Sequence, residues 1–152
     1  KFVLDVHLGK LARLLRLLGF DARYSNDYED PEIVDIAREE HRIILTRDVG
    51  LLKRKAVTHG YWLRSTEPVA QAREVLNRFD LHTQVRPYTR CLTCNGLLAP
   101  ADKASVLHRI PKRVAEIQDT FFVCSSCSQV YWRGTHFERL EAKVKKMLTS
   151  RG

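Results

Sequence analysis

The sequence lacks a glycine-rich phosphate-binding loop, because its seven glycines all occur singly. It also lacks an apolar run of the roughly 20 residues that a membrane span requires. Charged residues at positions 10, 13 and 16 interrupt the apolar segment near the start of the chain. Nothing in the chain resembles a Ser/His/Asp arrangement. These absences argue against a P-loop nucleotide-binding protein, a membrane protein and a triad hydrolase, and we expect no membrane partner.

The composition is that of an ordinary globular protein rather than a disordered or fibrous one. The 152 residues are 44% hydrophobic and 29% charged, which suits one core or a core with a small metal-stabilised appendage. Lys1 leads directly into a strand-like segment, so we expect no signal peptide. The absence of an initiator methionine indicates a processed or excised chain. We expect a cytoplasmic location.

Acidic residues are scarce in the second half of the chain. Residues 1–85 contain 14 Lys/Arg and 13 Asp/Glu, for a net charge of +1. Residues 86–152 contain 12 Lys/Arg and only 5 Asp/Glu, for a net charge of +7. This asymmetry favours a polyanionic partner, above all a nucleic acid, bound by the second half. The alternative, a basic surface that serves solubility alone, stays open.

Cysteine is absent from the first 90 residues, and the four cysteines that follow form two Cys-x-x-Cys pairs: Cys91, Cys94, Cys124 and Cys127. Two such pairs in an intracellular chain predict a tetrahedral zinc site, structural because four thiolates leave no open position. The 29 residues between the pairs predict an inserted segment. Two disulfides are disfavoured in a reducing compartment. A redox role is the remaining alternative, although no thioredoxin-like pattern surrounds either pair.

Residues 1–80 alternate between strand-like and helix-like segments. This order predicts an α/β domain of three layers with a mainly parallel sheet. Helices are expected after each strand, with Asp30 as N-cap of the second, Thr66 as N-cap of the fourth and Gly19 at the end of the first. The short third helix is expected around 51–56. The predicted strands lie at 2–6, 22–24, 42–46 and 61–64.

Beyond a linker at 81–89, short apolar segments flank the two cysteine pairs. They indicate hairpins built around a zinc site, and we predict a zinc-ribbon domain over 90–152. Phe137, Leu140, Val144 and Leu148 recur at helical spacing and predict a basic C-terminal helix.

Three acids fall in the connections at the carboxyl ends of predicted strands, where open α/β sheets form their sites: Asp5, Asp30 and Asp48. If they converge, a cation must neutralise them, and oxygen ligands suit Mg²⁺ or Mn²⁺. Such an ion can activate water against a phosphodiester. Helix capping by Asp30 and Asp48 is the competing interpretation. His7 has either a place in the same crevice or a packing role.

Several short motifs occur in an order that resembles the Mut-seven C-terminal RNase domain family. The resemblance spans nearly the whole chain and implies a PIN-like nuclease domain over 1–80 followed by a zinc ribbon. It also implies a metal-dependent RNase with acids at Asp5, Asp30 and Asp48, often preceded by a ubiquitin-like domain. The motifs are Phe2-Val3-Leu4-Asp5, Leu8-Gly9-Lys10-Leu11-Ala12-Arg13, Leu18-Gly19, Ile44-Leu45-Thr46-Arg47-Asp48, Arg90-Cys91-x-x-Cys94-Asn95-Gly96 and Val130-Tyr131-Trp132-Arg133-Gly134.

The sequence departs from the family pattern at two places. Val49 and Gly50 stand where PIN-like sites commonly carry a further acid, and His7 is unusual for the family. Asp27 or Glu29 are candidates to replace the missing acid. These departures keep a second hypothesis open, an RNA-binding or protein-interaction module with a degenerate nuclease centre.

The leading hypothesis from sequence is therefore an RNA endonuclease with structural Zn²⁺ and catalytic Mg²⁺ or Mn²⁺. Basic residues of the first helix would hold the RNA backbone, and the basic zinc ribbon would add non-specific affinity. A protein partner is a further expectation. The residues predicted to contact RNA are Lys10, Arg13, Arg16, Arg47, Arg133 and His136, the last of which alternatively caps the ribbon.

Overall fold

The computed structural model describes residues 1–148, apart from the side chain of Thr135. The first half contains a parallel sheet of four short strands in the order β2-β1-β3-β4. This arrangement confirms the predicted α/β fold. The strands are β1 (Phe2–Leu4), β2 (Ala22–Arg23), β3 (Ile43–Thr46) and β4 (Gly60–Trp62).

Helices cover both faces of this sheet, because successive side chains of a strand point to opposite sides. Phe2 and Leu4 face a core shared with α1 (Gly9–Leu17) and α4 (Pro68–Arg78). Val3, between them, faces a second core with α2 (Asp30–Glu40) and α3 (Val49–Leu52). The result is the three-layer arrangement that the alternating pattern predicts.

The element boundaries differ from the predicted ones where carboxylates cap helices. Glu29, not Asp30, is the N-cap of α2, and its backbone N–H donates to the Glu32 carboxylate at 3.3 Å. Glu67, not Thr66, caps α4 by accepting from the two N–H groups of Val69 and Ala70. The expected caps were wrong by one residue because a glutamate also reaches the unpaired N–H groups of a first turn.

Gly19 ends α1 and also fixes the path of the linker. Its φ of +95° and the bonds from Gly19 N to Arg16 O and from Phe20 N to Leu15 O form a Schellman motif. A Cβ at this position would lie 2.3 Å from the carbonyl oxygen of Arg86. The linker therefore passes directly over the helix end, which only glycine allows.

The second half forms an antiparallel sheet in the order β5-β6-β7, with an inserted helical segment between its first two strands. That segment is the predicted insertion between the cysteine pairs, and its side chains share a third core with Phe121 and Val130. The elements are β5 (Leu98–Ala101), α5 (Lys103–Val106), a 3₁₀ turn (Leu107–Arg109), α6 (Lys112–Ile117), β6 (Phe121–Cys124) and β7 (Val130–Tyr131).

The C-terminal helix α7 (Thr135–Leu148) returns to the first half of the chain. Its Val144 and Met147 are buried in the same core as Phe2, and so is Leu92 beside the first cysteine pair. Residues after position 90 thus help to complete the core of the parallel-sheet unit. The division into 1–80, 81–89 and 90–152 stays a prediction, and its last four residues lie outside the described part. In the described part no helix is long and apolar enough to span a bilayer.

Candidate active-site cleft and four-cysteine centre

An open cleft of about 870 Å³ lies at the carboxyl ends of β1 and β3. Asp5 follows β1 directly and Asp48 lies two residues beyond β3, and both line the cleft. In the strand order β2-β1-β3-β4, the chain leaves β1 for the edge strand on one side and then returns to the other side. The cleft therefore lies at the topological switch point, where α/β sheets bind ligands.

Asp5 is a buried carboxylate with defined partners. The residue is only 6% exposed to solvent. One oxygen accepts from the backbone N–H of His7 at 2.8 Å, and the other accepts from the hydroxyl of Thr46. A buried carboxylate is stable only when its oxygens are paired in this way. Strand β1 ends at Leu4 and is therefore shorter than predicted. Asp5 follows the strand and faces the cleft, so it does not interrupt the strand.

Thr46 contacts both Asp5 and Asp48. No role for it was predicted from the sequence. It is fully buried, and its hydroxyl donates to Asp5 while accepting from the backbone N–H of Asp48 at 2.8 Å. The Asp48 side chain is exposed and accepts from Gly50 N at 2.8 Å, so it also caps α3. The sequence signal that could have identified Thr46 is its position as a hydroxyl residue at the end of the most continuous apolar strand.

Asp30 does not line the cleft. Its side chain is 41% exposed and lies 3.9 Å from the guanidinium of Arg54. In the described residues no group of three carboxylates lies close enough to hold one ion. The three acids therefore do not converge in the described structure, since Asp30, the first residue of α2, lies outside the cleft that Asp5 and Asp48 line. A catalytic role for Asp30 stays a prediction without support from the cleft.

Two of the predicted RNA-contacting cations line the cleft beside the acids, Lys10 and Arg47. Arg47 donates to the carbonyl oxygens of Leu63 and Arg64 at 2.6 and 2.9 Å, and its guanidinium lies 5.4 Å from the ring centroid of Trp62. His7 is exposed at the same cleft. The cleft thus combines carboxylates that attract a cation with cations that attract a phosphate.

Arg16 corrects the expectation that it shares an RNA-contacting face with Lys10 and Arg13. It is only 4% exposed, and its guanidinium donates to three carbonyl oxygens: Ala22 at 2.9 Å, Leu92 at 3.0 Å and Thr93 at 3.2 Å. It joins the first half to the first cysteine pair. These contacts hold the guanidinium within the fold, which is a structural role.

Glu74 of α4 positions the loop that follows β4. Its carboxylate accepts from the Tyr61 hydroxyl at 2.6 Å and from the backbone N–H groups of Arg64 and Ser65 at 3.0 and 2.9 Å. Burial raises the pKa of Glu74, but these donors outweigh burial, and the pKa is lowered. The next residue, Thr66, lines the cleft. Glu74 therefore holds one wall of the site in place.

We expect Glu74→Gln to lower the free energy of unfolding by about 1–3 kcal/mol at pH 7, because an amide cannot serve all these donors. A lowered folded-state pKa means that this stabilisation is full above the unfolded-state pKa of about 4.3 and is lost as the pH falls further. The difference in the free energy of unfolding between the wild type and the variant, measured by urea unfolding, should therefore shrink as the pH falls below about 4.3. Glu39→Gln, at an exposed position of α2, is the control. A pH-independent difference would contradict this role.

The four cysteines converge as the sequence predicts. Their sulfur atoms lie within 4.8 Å of one another, with Cys91 and Cys127 at 3.7 Å and Cys94 and Cys124 at 3.4 Å. A tetrahedral zinc site with Zn–S bonds of about 2.3 Å needs S···S separations of about 3.8 Å. The four-cysteine cluster can therefore hold zinc with only small adjustments.

The two cysteine pairs have the same local structure. In each, the residue after the second cysteine is left-handed, Asn95 with φ 75° and Ser128 with φ 66°. The N–H of each donates to the carbonyl of the first cysteine at 3.0 Å. Burial raises the pKa of Cys124, but N–H groups of the turn at Cys127 and Ser126 outweigh it and lower the pKa to about 7. The turn is thus preorganised for a thiolate.

The first cysteine pair is attached to the parallel sheet through Asn95. Its side-chain oxygen accepts from the backbone N–H of Ala22 at 3.0 Å, and its amide donates to Asp21 at 2.7 Å. Arg42 donates to the same carboxylate at 2.6 Å. Burial raises the pKa of Asp21, but the donors of Arg42 and Asn95 outweigh burial and lower it. The edge strand β2 is therefore bound to the cysteine centre.

The remaining predicted RNA-contacting residues, Arg13, Arg133 and His136, do not line the acidic cleft. All three are exposed and line a separate cavity beside α1 and α7.

Comparison with known proteins agrees with these features. The Mut7-C RNAse domain family matches residues 1–144. The exonuclease mut-7 homolog of Homo sapiens is 39% identical over 101 residues, which cover 62% of this chain and 12% of that protein. The chain thus spans a small part of this relative. No solved structure matches the chain significantly. The chain belongs to the Mut7-C RNAse domain family, and this membership supports a nuclease-type function.

Proposed function

We propose that this chain is a divalent-metal-dependent ribonuclease of PIN-like type that cleaves RNA internally. The observation that carries the proposal is the pair of acids that line the cleft at the β1/β3 switch point, Asp5 and Asp48. The Thr46 hydroxyl donates to the Asp5 carboxylate and accepts from the backbone N–H of Asp48. The name of the family and that of the human relative, an exonuclease homolog, both agree with phosphodiester cleavage.

The residues of the cleft fit Mg²⁺ or Mn²⁺. Mg²⁺ is commonly bound through one or two carboxylates and keeps several waters, so a third acid is not required. Asp5 is held in place by its two donors, whereas Asp48 is exposed and has one oxygen without a hydrogen bond in the described structure. When bound, the ion would supply a Lewis acid that activates water and neutralises phosphate charge.

The chain itself supplies substrate binding and orientation. Lys10 and Arg47 line the cleft next to the acids and would pair with phosphate oxygens. Arg47 is fixed by carbonyl oxygens and by Trp62, so it presents its remaining donors from a defined position. Thr46 joins the Asp5 carboxylate to the backbone of Asp48. The four-cysteine centre lies outside this cleft, and its role in the proposal is structural.

The second candidate is an RNA-binding module with a degenerate nuclease centre. It is favoured by one specific observation, the absence of a third carboxylate from the cleft in the described residues. Val49 and Gly50 follow Asp48, so the adjoining positions offer no replacement. The two candidates make the same prediction for RNA affinity and opposite ones for turnover.

We expect Asp48→Asn to reduce Mn²⁺-dependent cleavage of single-stranded RNA at least 100-fold. Its stability should change little, because Asn caps helices about as well as Asp. The measurement combines cleavage assays with Mn²⁺ binding followed by electron paramagnetic resonance, which should also weaken. Asp35→Asn, on the exposed side of α2, is the matched control.

Asp30→Asn distinguishes a two-carboxylate site from the three-carboxylate site expected from the sequence. The cleft geometry predicts full activity for this variant. Absence of metal-stimulated cleavage in the unmutated protein, purified free of contaminating RNases, would overturn the nuclease proposal in favour of the RNA-binding module. Full activity of Asp48→Asn would remove Asp48 from the mechanism.

A further inference from the structure

A second cavity, separate from the acidic cleft, lies where α7 meets α1 and the first cysteine pair. Its volume is about 280 Å³, close to the lower limit of small-molecule sites. It is unusual in combining aromatic rings with guanidinium groups. The rings include those of Tyr88 and Phe137, and the guanidinium groups include those of Arg13 and Arg133.

The flat groups of this cavity are already arranged for stacking. The rings of Tyr88 and Phe137 lie 4.7 Å apart at an angle of 37°. The guanidinium of Arg133 lies 5.2 Å from the ring centroid of Phe137. Aromatic rings and guanidinium planes are the surfaces on which proteins stack unpaired bases. Arg133 and Phe137 thus offer the two kinds of group that bind a nucleotide.

A groove of about 530 Å³ connects this aromatic cavity to the acidic cleft. Lys10 and Pro68 line both the cleft and the groove. Arg13 and His136 line both the groove and the cavity, and Lys143 lines the groove between them. Lys10 and Arg13 are one turn of α1 apart, or about 4.5 Å along the helix axis. Cationic side chains therefore continue from the acids to the aromatic rings, with Glu67 as the one acid that lines the groove in the described residues.

We propose that the aromatic cavity binds one base of a single-stranded RNA whose backbone follows this groove from the acidic cleft. The inference rests on the proposed function for the nature of the ligand, and it adds a second contact site that sets how the strand lies across the cleft. A peptide ligand fits the groove less well, because its lining cations Lys10, Arg13 and Lys143 outnumber its lining acid, Glu67, as suits a polyanionic backbone. The bound base would stack on Phe137, and Arg133 and Arg13 would pair with the backbone phosphates on either side of that nucleotide.

The test measures binding of a fluorescein-labelled oligouridylate by anisotropy in buffer without added Mg²⁺ or Mn²⁺, so that it needs neither metal in the cleft nor turnover and leaves zinc bound at the four-cysteine centre. Phe137→Leu should weaken binding roughly 5- to 100-fold with an unchanged dependence on salt, because a stacking surface is lost. Arg133→Gln should reduce the slope of log K against log salt by about 0.7, because one phosphate contact is lost. Arg139→Gln removes the same charge from an exposed position of α7 outside the cavity and groove, and should leave binding unchanged.

A second measurement does not depend on any variant folding. An oligonucleotide containing 4-thiouridine, cross-linked to the unmutated protein, should label the segment 131–137. Equal affinities for Phe137→Leu and the unmutated protein, or cross-links confined to the acidic cleft, would overturn the inference. Loss of cleavage with retained Phe137-dependent binding would overturn only the nuclease proposal, so the two failures are distinguishable.

Discussion

Cys94→Ser is expected to abolish the folded state of the second half and to destabilise the first half as well. Structural zinc contributes about 10 kcal/mol or more to folding, which is comparable to the whole stability of a domain. Loss of the centre would also free Asn95 and Leu92, which contact β2 and the first core. Zinc analysis and near-ultraviolet circular dichroism should show loss of metal and of tertiary structure together.

Thr93→Ala provides the control for this prediction, since Thr93 is an exposed residue of the same turn and offers no ligand. Its backbone carbonyl accepts the hydrogen bond from Arg16, and the substitution keeps this carbonyl. This variant should retain one zinc per chain and the wild-type spectrum. A reduced protein that contains no zinc and is nevertheless folded would refute the assignment of the four-cysteine cluster.

The second large effect is expected at Arg16. Arg16→Met keeps most of the buried aliphatic volume but leaves the carbonyl oxygens of Ala22, Leu92 and Thr93 without their donor. We expect the free energy of unfolding to fall by about 3–5 kcal/mol, because a buried carbonyl oxygen left without its donor costs about 1–3 kcal/mol. Arg16→Lys should recover part of this loss, because an ammonium reaches fewer of the three acceptors. Urea unfolding of zinc-loaded protein measures both.

Arg13→Met makes the matched comparison, one helical turn earlier on α1. Arg13 is exposed, so the free energy of unfolding should change by no more than about 0.5 kcal/mol. Its RNA affinity should fall, whereas Arg16→Met protein that remains folded should bind RNA with wild-type salt dependence. The opposite assignment of effects would show that Arg16 contacts RNA after all.

The parallel sheet and the cysteine centre could be predicted because local signals determine both. Ile43–Thr46 is an apolar, β-branched run, and the order of strand and helix signals leaves few arrangements other than a parallel sheet. The two Cys-x-x-Cys pairs define their own turns. For Asp5 and Asp48, the rule that sites form at strand ends was sufficient to place both in one cleft.

The errors arose where distant segments decide the outcome. Arg16 is separated from Arg13 by one helical turn and shares its chemistry, yet it is buried because the first cysteine pair covers that part of α1. The spacing of apolar residues within one helix cannot show that a distant segment packs over part of that helix. Asp30 lies outside the cleft for a related reason: the sequence does not reveal where the chain between β2 and α2 places this side chain, which lies near Arg54. The role of Thr46 depends on two hydrogen bonds across the same crevice.

The shared burial of Phe2 and Met147 has a consequence for how the chain reaches its native state. At ordinary rates of translation, the codons of these two residues are read on the order of ten seconds apart. During that interval the nascent chain has its parallel strands available but lacks the helix that covers α1 and α4. Apolar side chains of the first core remain open to solvent until Val144 and Met147 of α7 have been synthesised. Chaperone binding to ribosome-attached intermediates should therefore persist until α7 has emerged.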